Sequence, residues 1–269
     1  MVIILKTQKV LITGTGSGLG KCAALELARR GHKVFATVQF ENQVEKLKNE
    51  AKKNNLDLTV FKLDIRSKKD RESILNYDFD IIINNAGIGD SGSVSEINID
   101  RFKDVFETNV FSAIEITQIA LKKFIENKYG KVIFISSLFG KVSSPFLSPY
   151  CSSKFAIEAL AYSLRKEMKT LDGVNIQVAI IEPGAYATGF NQKNISKKFD
   201  WMQKKSYFKY KLEDIKLKEE KFFKFTEKKR FTSIINKYIK VVEAKNLKKR
   251  YSAPMLQSIL VKFAQIFGV

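Results

Sequence analysis

Short apolar runs alternate with longer amphipathic segments along the first 190 residues of the chain. The runs are rich in Val, Ile and Phe, which is typical of buried β-strands. The segments between them carry apolar residues at the spacing of one helix face. The pattern predicts strands at residues 9–13, 33–38, 58–63, 79–83, 131–135 and 174–181, and helices at 21–30, 42–54, 67–76, 99–127 and 149–170.

This alternation of strands and helices predicts an α/β fold. Repeated strand–helix units form a parallel sheet, and right-handed crossovers place helices on both of its faces. We therefore expect residues 1–269 to form a single domain with a Rossmann-type, doubly wound parallel sheet. Ligands of such sheets bind beyond the carboxyl ends of the strands, which is where the polar and glycine-rich motifs of this chain fall.

The pattern changes beyond residue 190. Residues 191–230 combine lysines with aromatic residues and fit two amphipathic helices, which we expect to form a helical segment that covers a substrate. Another helix is predicted at residues 231–243. Residues 255–269 have an apolar stripe at i, i+3, i+4, i+7 spacing, which predicts a C-terminal helix that docks on the parent domain or on a second subunit. The stripe consists of Leu256, Ile259, Leu260, Phe263, Ile266 and Phe267.

Positive charge is concentrated in the same C-terminal part. The 269 residues carry a net charge of +19, and residues 191–269 hold 21 Lys and Arg against 7 Asp and Glu, a surplus of 14. A solvated surface that aids solubility is the favoured interpretation. The alternative is attraction to an anionic substrate, a nucleic acid or a membrane.

Composition excludes several classes of site. His32 is the only histidine, so a His-based triad and a multi-His metal site are excluded, and its position in an Arg-Gly-His turn predicts a solvent-exposed side chain. Cys22 and Cys151 form no disulfide or metal pattern. No apolar run approaches the ~20 residues of a membrane span, and the run at residues 2–5 is too short for a signal peptide. We expect a cytoplasmic protein without a metal site.

A glycine-rich turn follows the first predicted strand and precedes the first helix. Glycines allow the backbone to turn tightly and to approach a pyrophosphate, and the start of the helix offers N–H groups and a positive dipole end. The turn therefore predicts a dinucleotide site. Its candidate residues are Gly14, Thr15, Ser17, Gly18, Leu19 and Gly20.

Tyr150, Lys154 and Ser137 form a candidate catalytic group. Tyr150 and Lys154 are four residues apart on a predicted helix, so their side chains share a face. An ammonium beside a phenol favours the phenolate, and we expect Lys154 to lower the pKa of Tyr150 from its ordinary value of ~10. Such a tyrosine can act as a general acid or base. A nearby hydroxyl such as Ser137 can bind the oxygen whose charge changes.

Together these motifs resemble the short-chain dehydrogenase/reductase family over residues 9–190. The glycine turn is similar to the family's cofactor loop, and the spacing of the serine and tyrosine is similar to that of its active site. The remaining motifs lie after the fourth strand, in the following helix and after the sixth strand. The matching positions are Thr13 to Gly20, Asn84 to Gly87, Asn109, Ser137, Tyr150, Lys154, Pro183, Gly184 and Thr188.

The resemblance implies a role for each candidate catalytic residue. Ser137 would hold the substrate oxygen, and Tyr150 would exchange a proton with the substrate hydroxyl. Lys154 would lower the pKa of Tyr150 and bind the nicotinamide ribose, and Asn109 would hold a water molecule in a proton relay. The resemblance also implies that Asp64 contacts the adenine, that Asn85, Ala86 and Gly87 line the cofactor cleft, and that Pro183, Gly184 and Thr188 contact the nicotinamide.

The end of the second strand bears on the choice between NAD and NADP. A carboxylate at this place binds the ribose 2′-hydroxyl and repels a 2′-phosphate. The chain has Gln39 there and no acidic residue before Glu41, but it has no arginine there either. We therefore expect an NAD(P) cofactor, with a preference for NADP(H).

The expected function is the interconversion of a secondary alcohol and a carbonyl compound by an NAD(P)-dependent oxidoreductase. The aromatic residues after Thr188 suggest a bulky, apolar substrate. Similar enzymes are commonly dimers or tetramers, which implies a homo-oligomer. Two alternatives stay open: a non-catalytic NAD(P)-binding regulator or scaffold, and a nucleic-acid or membrane binder that uses the basic surface of residues 191–250. No nucleic-acid partner is expected.

Overall fold

One sheet of seven parallel strands forms the centre of the computed structural model, which describes residues 6–194 and 196–267. The strands are β1 (Lys9–Ile12), β2 (Lys33–Val38), β3 (Leu58–Lys62), β4 (Ile81–Asn84), β5 (Tyr129–Ile135), β6 (Asn175–Pro183) and β7 (Arg250–Ala253). Their order is β3-β2-β1-β4-β5-β6-β7, and all neighbours are parallel. The predicted Rossmann-type sheet is confirmed. The segment 2–5, considered above as a signal peptide, lies outside the described residues.

Helices connect these strands and cover both faces of the sheet. The α-helices are α1 (Gly18–Arg29), α2 (Glu41–Lys53), α3 (Lys68–Glu72), α4 (Ile99–Phe106), α5 (Ser112–Glu126), α6 (Ser148–Met168), α7 (Phe190–Asn194), α8 (Lys197–Lys205), α9 (Leu212–Thr226), α10 (Thr232–Glu243) and α11 (Met255–Phe267). Short 3-10 turns occur at Ser73–Asn76, Leu138–Gly140 and Lys209–Lys211.

The core has two layers because neighbouring strand residues point to opposite faces of the sheet. Val10 and Ile12 pack on one face with apolar residues of α1, α2 and α10. Leu11 packs on the other face with residues of α5 and α6. The central strands are buried on both sides, which explains their continuous apolar sequence.

Several elements differ from the sequence prediction. Three helices, α7, α8 and α9, occur where two were predicted at residues 191–230, and the helix predicted at 67–76 is the short α3 followed by a 3-10 turn. The helix predicted at residues 99–127 is divided by a π-helical turn at Glu107–Phe111. The seventh strand was not predicted, because it is short and only Tyr251 and Ala253 of its four residues are buried. Polar residues alternate with them, and the buried carboxylate of Glu182 in β6 binds both Arg250 and Ser252. The strand is therefore held in part by polar contacts that its own sequence does not reveal.

The strand order places a crevice between β1 and β4. The chain moves outward in one direction from β1 to β3, and it then returns to continue from β4 in the other direction. The loops that follow β1 and β4 consequently separate at this point and leave room for a ligand at their carboxyl ends. This topology positions the candidate site.

The C-terminal third lies over the loops at this end of the sheet. Trp201 of α8 donates a hydrogen bond from Nε1 to the Ser91 carbonyl oxygen at 3.4 Å, and its ring lies 5.6 Å from the Arg101 guanidinium. Asn194 accepts a hydrogen bond from the Gly89 backbone N–H at 3.2 Å. Among the described residues, no helix has both the length and the apolar character needed to cross a bilayer.

The apolar stripe of α11 is largely exposed. No residue of this helix is fully buried within residues 255–267, and Ile266 is 74% exposed. The helix is instead attached through Gln257, which hydrogen-bonds the loop after β6 and the end of α9. The rest of the domain therefore covers little of the apolar stripe of α11, which we expected to dock on the parent domain or on a second subunit.

The prediction of a solvent-exposed His32 is wrong, because its side chain is buried. The Gln8 backbone N–H donates to His32 Nδ1 at 3.2 Å, and His32 Nε2 lies 3.3 Å from Glu243 Oε1. The turn that precedes β2 packs against the end of α10, a long-range contact that the local sequence does not indicate. Burial lowers the pKa of His32, although Glu243 acts in the opposite direction.

Candidate active site

A cleft of about 880 Å³ lies at the carboxyl ends of β1, β4, β5 and β6. It brings together nearly all of the candidate residues, which come from parts of the chain far apart in sequence. The candidates that line it are Gly14, Ser17, Gly18, Leu19, Gly20, Gln39, Asp64, Asn85, Ala86, Gly87, Ser137, Tyr150, Lys154, Pro183, Gly184 and Thr188. Thr15 and Asn109 are not among the residues that line it.

The glycine turn packs tightly against the segment that follows β4. Gly14 has a φ of +70°, and a Cβ there would lie 2.7 Å from the Ala86 Cα. A Cβ on Gly20 would lie 2.3 Å from Asn85 Nδ2 and 2.7 Å from the Gly14 carbonyl oxygen. Side chains at these two positions would therefore push the turn away from its neighbours. The turn ends at the first residues of α1, whose N-cap Ser17 makes no side-chain capping bond.

Thr13 and Asn85 hold this part of the cleft together. Thr13 Oγ1 accepts hydrogen bonds from the backbone N–H groups of Asn85 at 3.0 Å and Ala86 at 2.9 Å. Asn85 Nδ2 donates to the carbonyl oxygens of Thr13 and Gly14. Asn85 Oδ1 accepts a hydrogen bond from the buried Tyr238 of α10 at 2.9 Å. Tyr238 is a supporting residue that the sequence analysis did not find.

Thr15 does not lie in the cleft. Its side chain is fully buried and donates a hydrogen bond to the Thr37 carbonyl oxygen of β2 at 2.9 Å. The residue therefore ties the glycine turn to the neighbouring strand, because its hydroxyl is directed into the protein. Proximity in sequence to the glycines is what made it a candidate.

One end of the cleft is polar and includes a cation. Gln39 and Asp64 line it, as predicted, and Arg66 lines it as well. The Asp64 Oδ1 atom accepts a hydrogen bond from the Arg66 backbone N–H at 3.1 Å, while the Arg66 guanidinium pairs with Asp104 at 3.0 Å. Arg66 was not predicted, since it follows the third strand rather than the second.

The floor of the cleft contains Ser137, Tyr150 and Lys154. Ser137 follows β5 and accepts a hydrogen bond from the Phe139 backbone N–H at 3.1 Å. The Tyr150 ring lies in the first turn of α6, and Lys154 Nζ is 5.7 Å from its centroid. Lys154 is buried and donates a hydrogen bond to the Ile135 carbonyl oxygen at 2.9 Å. The predicted shared helix face is thus observed.

Burial dominates the titration of Tyr150 and Lys154. It raises the pKa of Tyr150 to about 12, against the effect of a hydrogen bond with Ser137. It also lowers the pKa of Lys154 to about 8, although the carboxylate of Glu158, one turn further along α6, acts in the opposite direction. The expected pKa below 10 for Tyr150 is therefore not found in this structure, where the pKa is raised. The ammonium is hydrogen-bonded to Ile135, and the loss of water around the phenol has the larger effect.

Asn109 lies in the π-helical turn between α4 and α5, directly behind the floor of the cleft. Its Oδ1 accepts a hydrogen bond from the Ile88 backbone N–H, and its Nδ2 donates to the Ile88 carbonyl oxygen and to Ser153 Oγ. A Cβ on Gly87 would lie 3.1 Å from Asn109 Oδ1 and 3.7 Å from Lys154 Nζ. Asn109 therefore connects the segment after β4 with α6. Single-turn π-helices are frequent at functional sites.

Apolar side chains surround the other end of the cleft. The Phe190 ring lies 5.6 Å from the Tyr150 ring, and Phe223 packs against the same buried pair, Leu147 and Cys151, as Tyr150 does. Residues of α11 complete this side, although the sequence analysis assigned them only to docking. The apolar lining residues are Phe139, Val142, Phe190, Phe222, Phe223, Leu260, Val261 and Ala264.

Gln257 joins three elements at this apolar end. Its Oε1 accepts a hydrogen bond from the Ala185 backbone N–H at 2.9 Å, and its Nε2 donates to the Thr226 carbonyl oxygen at 2.7 Å. The loop that contains Gly184, the end of α9 and the start of α11 are thereby fixed to one another. The sequence signal that could have identified Gln257 is its polar side chain next to an otherwise apolar stripe.

Comparisons with known proteins agree with this arrangement. A family model described as short chain dehydrogenase matches residues 8–198. The uncharacterized oxidoreductase YusZ of Bacillus subtilis is 34% identical over 196 residues, which are 69% of this chain and 68% of that protein. The NADPH-dependent pterin aldehyde reductase of Arabidopsis thaliana is 32% identical over 194 residues, with shares of 69% and 77%.

A solved structure extends the similarity in fold to the C-terminal third. A short chain dehydrogenase/reductase from Burkholderia phymatum, crystallised in complex with NAD, has a TM-score of 0.79 and is 16% identical. The match covers 97% of this chain and 94% of that one. At this identity the likeness shows the fold alone.

Proposed function

The chain belongs to the short-chain dehydrogenase/reductase family of oxidoreductases, and we propose that it interconverts a secondary alcohol and a carbonyl compound with an NAD(P) cofactor. The observation that carries the proposal is the position of Ser137, Tyr150 and Lys154 on the floor of one cleft, opposite the glycine turn. A protein that only binds a nucleotide needs no acid or base there. The named oxidoreductases among the relatives also favour the enzyme over a scaffold.

The residues of the cleft fit a nicotinamide dinucleotide. The N-terminus of α1 has no side-chain cap, so its backbone N–H groups are available to a pyrophosphate at Ser17, Gly18 and Leu19. Asp64 would bind the adenine, and Asn85, Ala86 and Gly87 would line the cofactor in the cleft. Pro183, Gly184 and Thr188 would hold the nicotinamide at the end nearest Tyr150.

The protein's part in the reaction is to orient the substrate and to move one proton. The bound cofactor supplies or accepts the hydride. In the reductive direction, Ser137 binds the carbonyl oxygen and the Tyr150 hydroxyl gives it a proton. The Lys154 ammonium stabilises the phenolate that remains. A pKa of about 12 keeps Tyr150 protonated at neutral pH, so that its hydroxyl carries the proton to be donated.

Asn109 has a supporting role in this proposal. Its amide is fixed by Ile88 and Ser153 next to the Lys154 side chain. From there it can orient a water molecule that returns a proton to Tyr150 through Lys154. In the oxidative direction the same groups work in reverse: the Tyr150 proton first passes to the water relay through Lys154, and Tyr150 then takes the proton of the alcohol.

We further propose that the cofactor is NADP(H). Gln39 places no carboxylate at the end of β2, so nothing there repels a 2′-phosphate. Arg66 adds a cation to the same end of the cleft. Titration of the protein with NADPH and with NADH compares the two affinities, and tighter binding of NADH would contradict this proposal.

The substrate that best fits the apolar end is a bulky, apolar carbonyl compound or alcohol. Phe190 of α7 lies beside Tyr150 there, and Phe222 and Phe223 of α9 line the same cleft. We propose that residues 191–230 cover the bound substrate. A panel of carbonyl compounds of increasing apolar size, followed by the absorbance of reduced nicotinamide, tests the function. Turnover that increases with apolar size is expected, and no turnover of any carbonyl or alcohol would overturn the proposal.

A further inference from the structure

Exposed apolar side chains surround the mouth of the cleft. On α11 they continue along the whole helix, where Phe263 is 54% and Ile266 is 74% exposed. On α9 they include Phe225, which is 85% exposed. Isolated exposed apolar residues are ordinary, but a contiguous patch marks an interaction surface. We call the exposed apolar residues of these two helices the rim: Leu217, Phe222, Phe225, Met255, Leu256, Ile259, Leu260, Phe263, Ile266 and Phe267.

The two helices of the rim form one surface that is continuous with the cleft. Gln257 at the start of α11 donates a hydrogen bond to the Thr226 carbonyl oxygen at the end of α9. Phe222 of α9 and Leu260 of α11 both line the cleft and are also exposed to solvent. The rim therefore meets the apolar end of the cleft at these two residues.

Basic residues lie directly beside this apolar surface. Helix α11 itself has a single lysine, Lys262, but α9 presents exposed lysines between its apolar residues. The segment that follows α9 adds Lys228, Lys229 and Arg230, all exposed. The lysines of α9 are Lys216, Lys218, Lys221 and Lys224. Helix α9 also contains four acidic residues, Glu213, Asp214, Glu219 and Glu220. The surplus of positive charge beside the rim therefore comes from Lys228, Lys229 and Arg230, while the lysines of α9 add cations next to its apolar residues.

From these observations we propose that the rim docks on the surface of an anionic lipid bilayer. Apolar residues flanked by lysines fit the boundary between headgroups and acyl chains, where the apolar side chains enter the bilayer and the cations meet the lipid phosphates. Neither helix needs to cross the bilayer. Entry of an apolar substrate from the membrane into the cleft would then follow, and this last step alone rests on the proposed function.

Charge favours a bilayer over a second copy of the chain as the occupant. Residues 191–269 carry a surplus of 14 positive charges, with 21 Lys and Arg against 7 Asp and Glu. A symmetric contact through the rim would bring the C-terminal parts of two copies together, each with this surplus, and like charges near an interface oppose association. An anionic bilayer satisfies the apolar and the basic residues at the same time.

Co-sedimentation of the full chain with vesicles tests the proposal. Vesicles of equimolar phosphatidylcholine and phosphatidylserine should bind the protein at low salt, and pure phosphatidylcholine should bind it far less. Added salt should weaken the binding. No binding to the anionic vesicles at low salt, or equal binding to both, would overturn the proposal, as would a concentration-dependent dimer formed through the rim in place of vesicle binding.

Variants separate the apolar and the basic contributions. The double variant Phe225→Asp and Phe263→Asp should reduce the bound fraction at least about tenfold, whereas Leu75→Asp, at an exposed residue outside the rim, should not. Lys221→Gln with Lys224→Gln should weaken binding more than Lys46→Gln with Lys52→Gln on α2, which removes the same charge. Wild-type binding by both rim variants would contradict the proposal.

Vesicle binding and turnover can fail separately. Phe225 and Phe263 do not line the cleft, so the double variant should catalyse the reduction of a small, water-soluble carbonyl compound at the wild-type rate. Vesicle binding by a protein that turns over no carbonyl would contradict only the proposed function. Turnover without vesicle binding would contradict only the docking surface.

Discussion

At the scale of single residues, burial sets the chemistry of the candidate site. The phenol of Tyr150 and the ammonium of Lys154 lie close together, yet the loss of solvent favours the neutral form of each group. It raises the pKa of Tyr150 and lowers the pKa of Lys154. The sequence places the pair correctly on one helix face. It does not reveal that Lys154 donates to the Ile135 carbonyl oxygen, because that contact joins α6 to β5.

The pKa of Lys154 predicts how reduction depends on pH. The ammonium is present below about pH 8 and is lost above it, while Tyr150 stays protonated to about pH 12. The value of kcat/KM for the cofactor, which reports the free enzyme, should therefore fall as the pH rises through about 8. Lys166→Met, at a lysine about three turns further along α6, should keep this fall. A rate that increases over the same range would contradict the assigned role of Lys154.

Gly20 provides a second prediction at this scale. The substitution Gly20→Ala places a methyl group against Asn85 and the Gly14 backbone, which overpacks the turn and typically costs about 1–3 kcal/mol. Titration calorimetry should detect no cofactor binding by this variant. Gly16→Ala is the matched control, because its methyl group meets the end of the Gln43 side chain, which can move. Equal losses in both variants would contradict this reading of the turn.

At the scale of elements, the cleft depends on how the C-terminal helices meet the sheet. The six strands predicted from sequence all occur, since most of them are buried on both faces and carry apolar runs, and the edge strand β3 keeps Val60 buried. The strand β7 could not be predicted, because it is bound through the Glu182 carboxylate of β6. The π-helical turn could not be predicted either, because the contacts of Asn109 stabilise it. The function of α11 was also missed, since its stripe lies at the cleft mouth rather than in the core.

Gln257 tests how far α11 controls the apolar end of the cleft. Gln257→Ala removes two hydrogen bonds, each with a net contribution of about 0.5–1.5 kcal/mol, and releases α11 from α9 and from the Ala185 loop. We expect KM for a bulky carbonyl to rise several-fold, with little change for a small one, in steady-state assays. Ser258→Ala, which removes a local bond within the start of α11, is the control. An unchanged KM in Gln257→Ala would show that α11 does not shape the site.

At the scale of the whole molecule, long-range contacts join the two ends of the chain. The nucleotide side of the cleft comes from the first 190 residues, and the mouth comes from the residues that follow. The sequence predicts the first part well, because its motifs are local and follow predicted strands. It predicts the second part poorly, because residues such as Gln257 and His32 acquire their roles only through contacts across the fold.

The contact between His32 and Glu243 predicts a loss of stability in acid. His32 is surrounded by Glu243, Arg30 and Lys131, and its pKa is lowered in the folded state, mainly by burial. The unfolded chain therefore binds more protons as the pH falls through ~6.5, so acid favours unfolding. The pKa of Glu243 is also lowered, which adds to the loss at still lower pH. Urea midpoints should fall with decreasing pH.

The variant His32→Asn isolates the contribution of the histidine. It keeps an acceptor for the Gln8 backbone N–H but cannot take up a proton, so the fall in urea midpoint near pH ~6.5 should become smaller. The part of the fall that comes from Glu243 should persist. A midpoint that depends on pH as strongly in the variant as in the wild type would assign the effect to another group.

The central claim is that Tyr150 exchanges the proton with the substrate. The direct measurement is the single-turnover rate at which Tyr150→Phe reduces a carbonyl compound that the wild-type protein reduces. A cofactor titration of the same variant accompanies it. We predict a loss of at least about 10²-fold in rate with the cofactor affinity retained, and wild-type behaviour for Tyr162→Phe, at an exposed tyrosine of the same helix. Turnover by Tyr150→Phe at the wild-type rate would contradict the account.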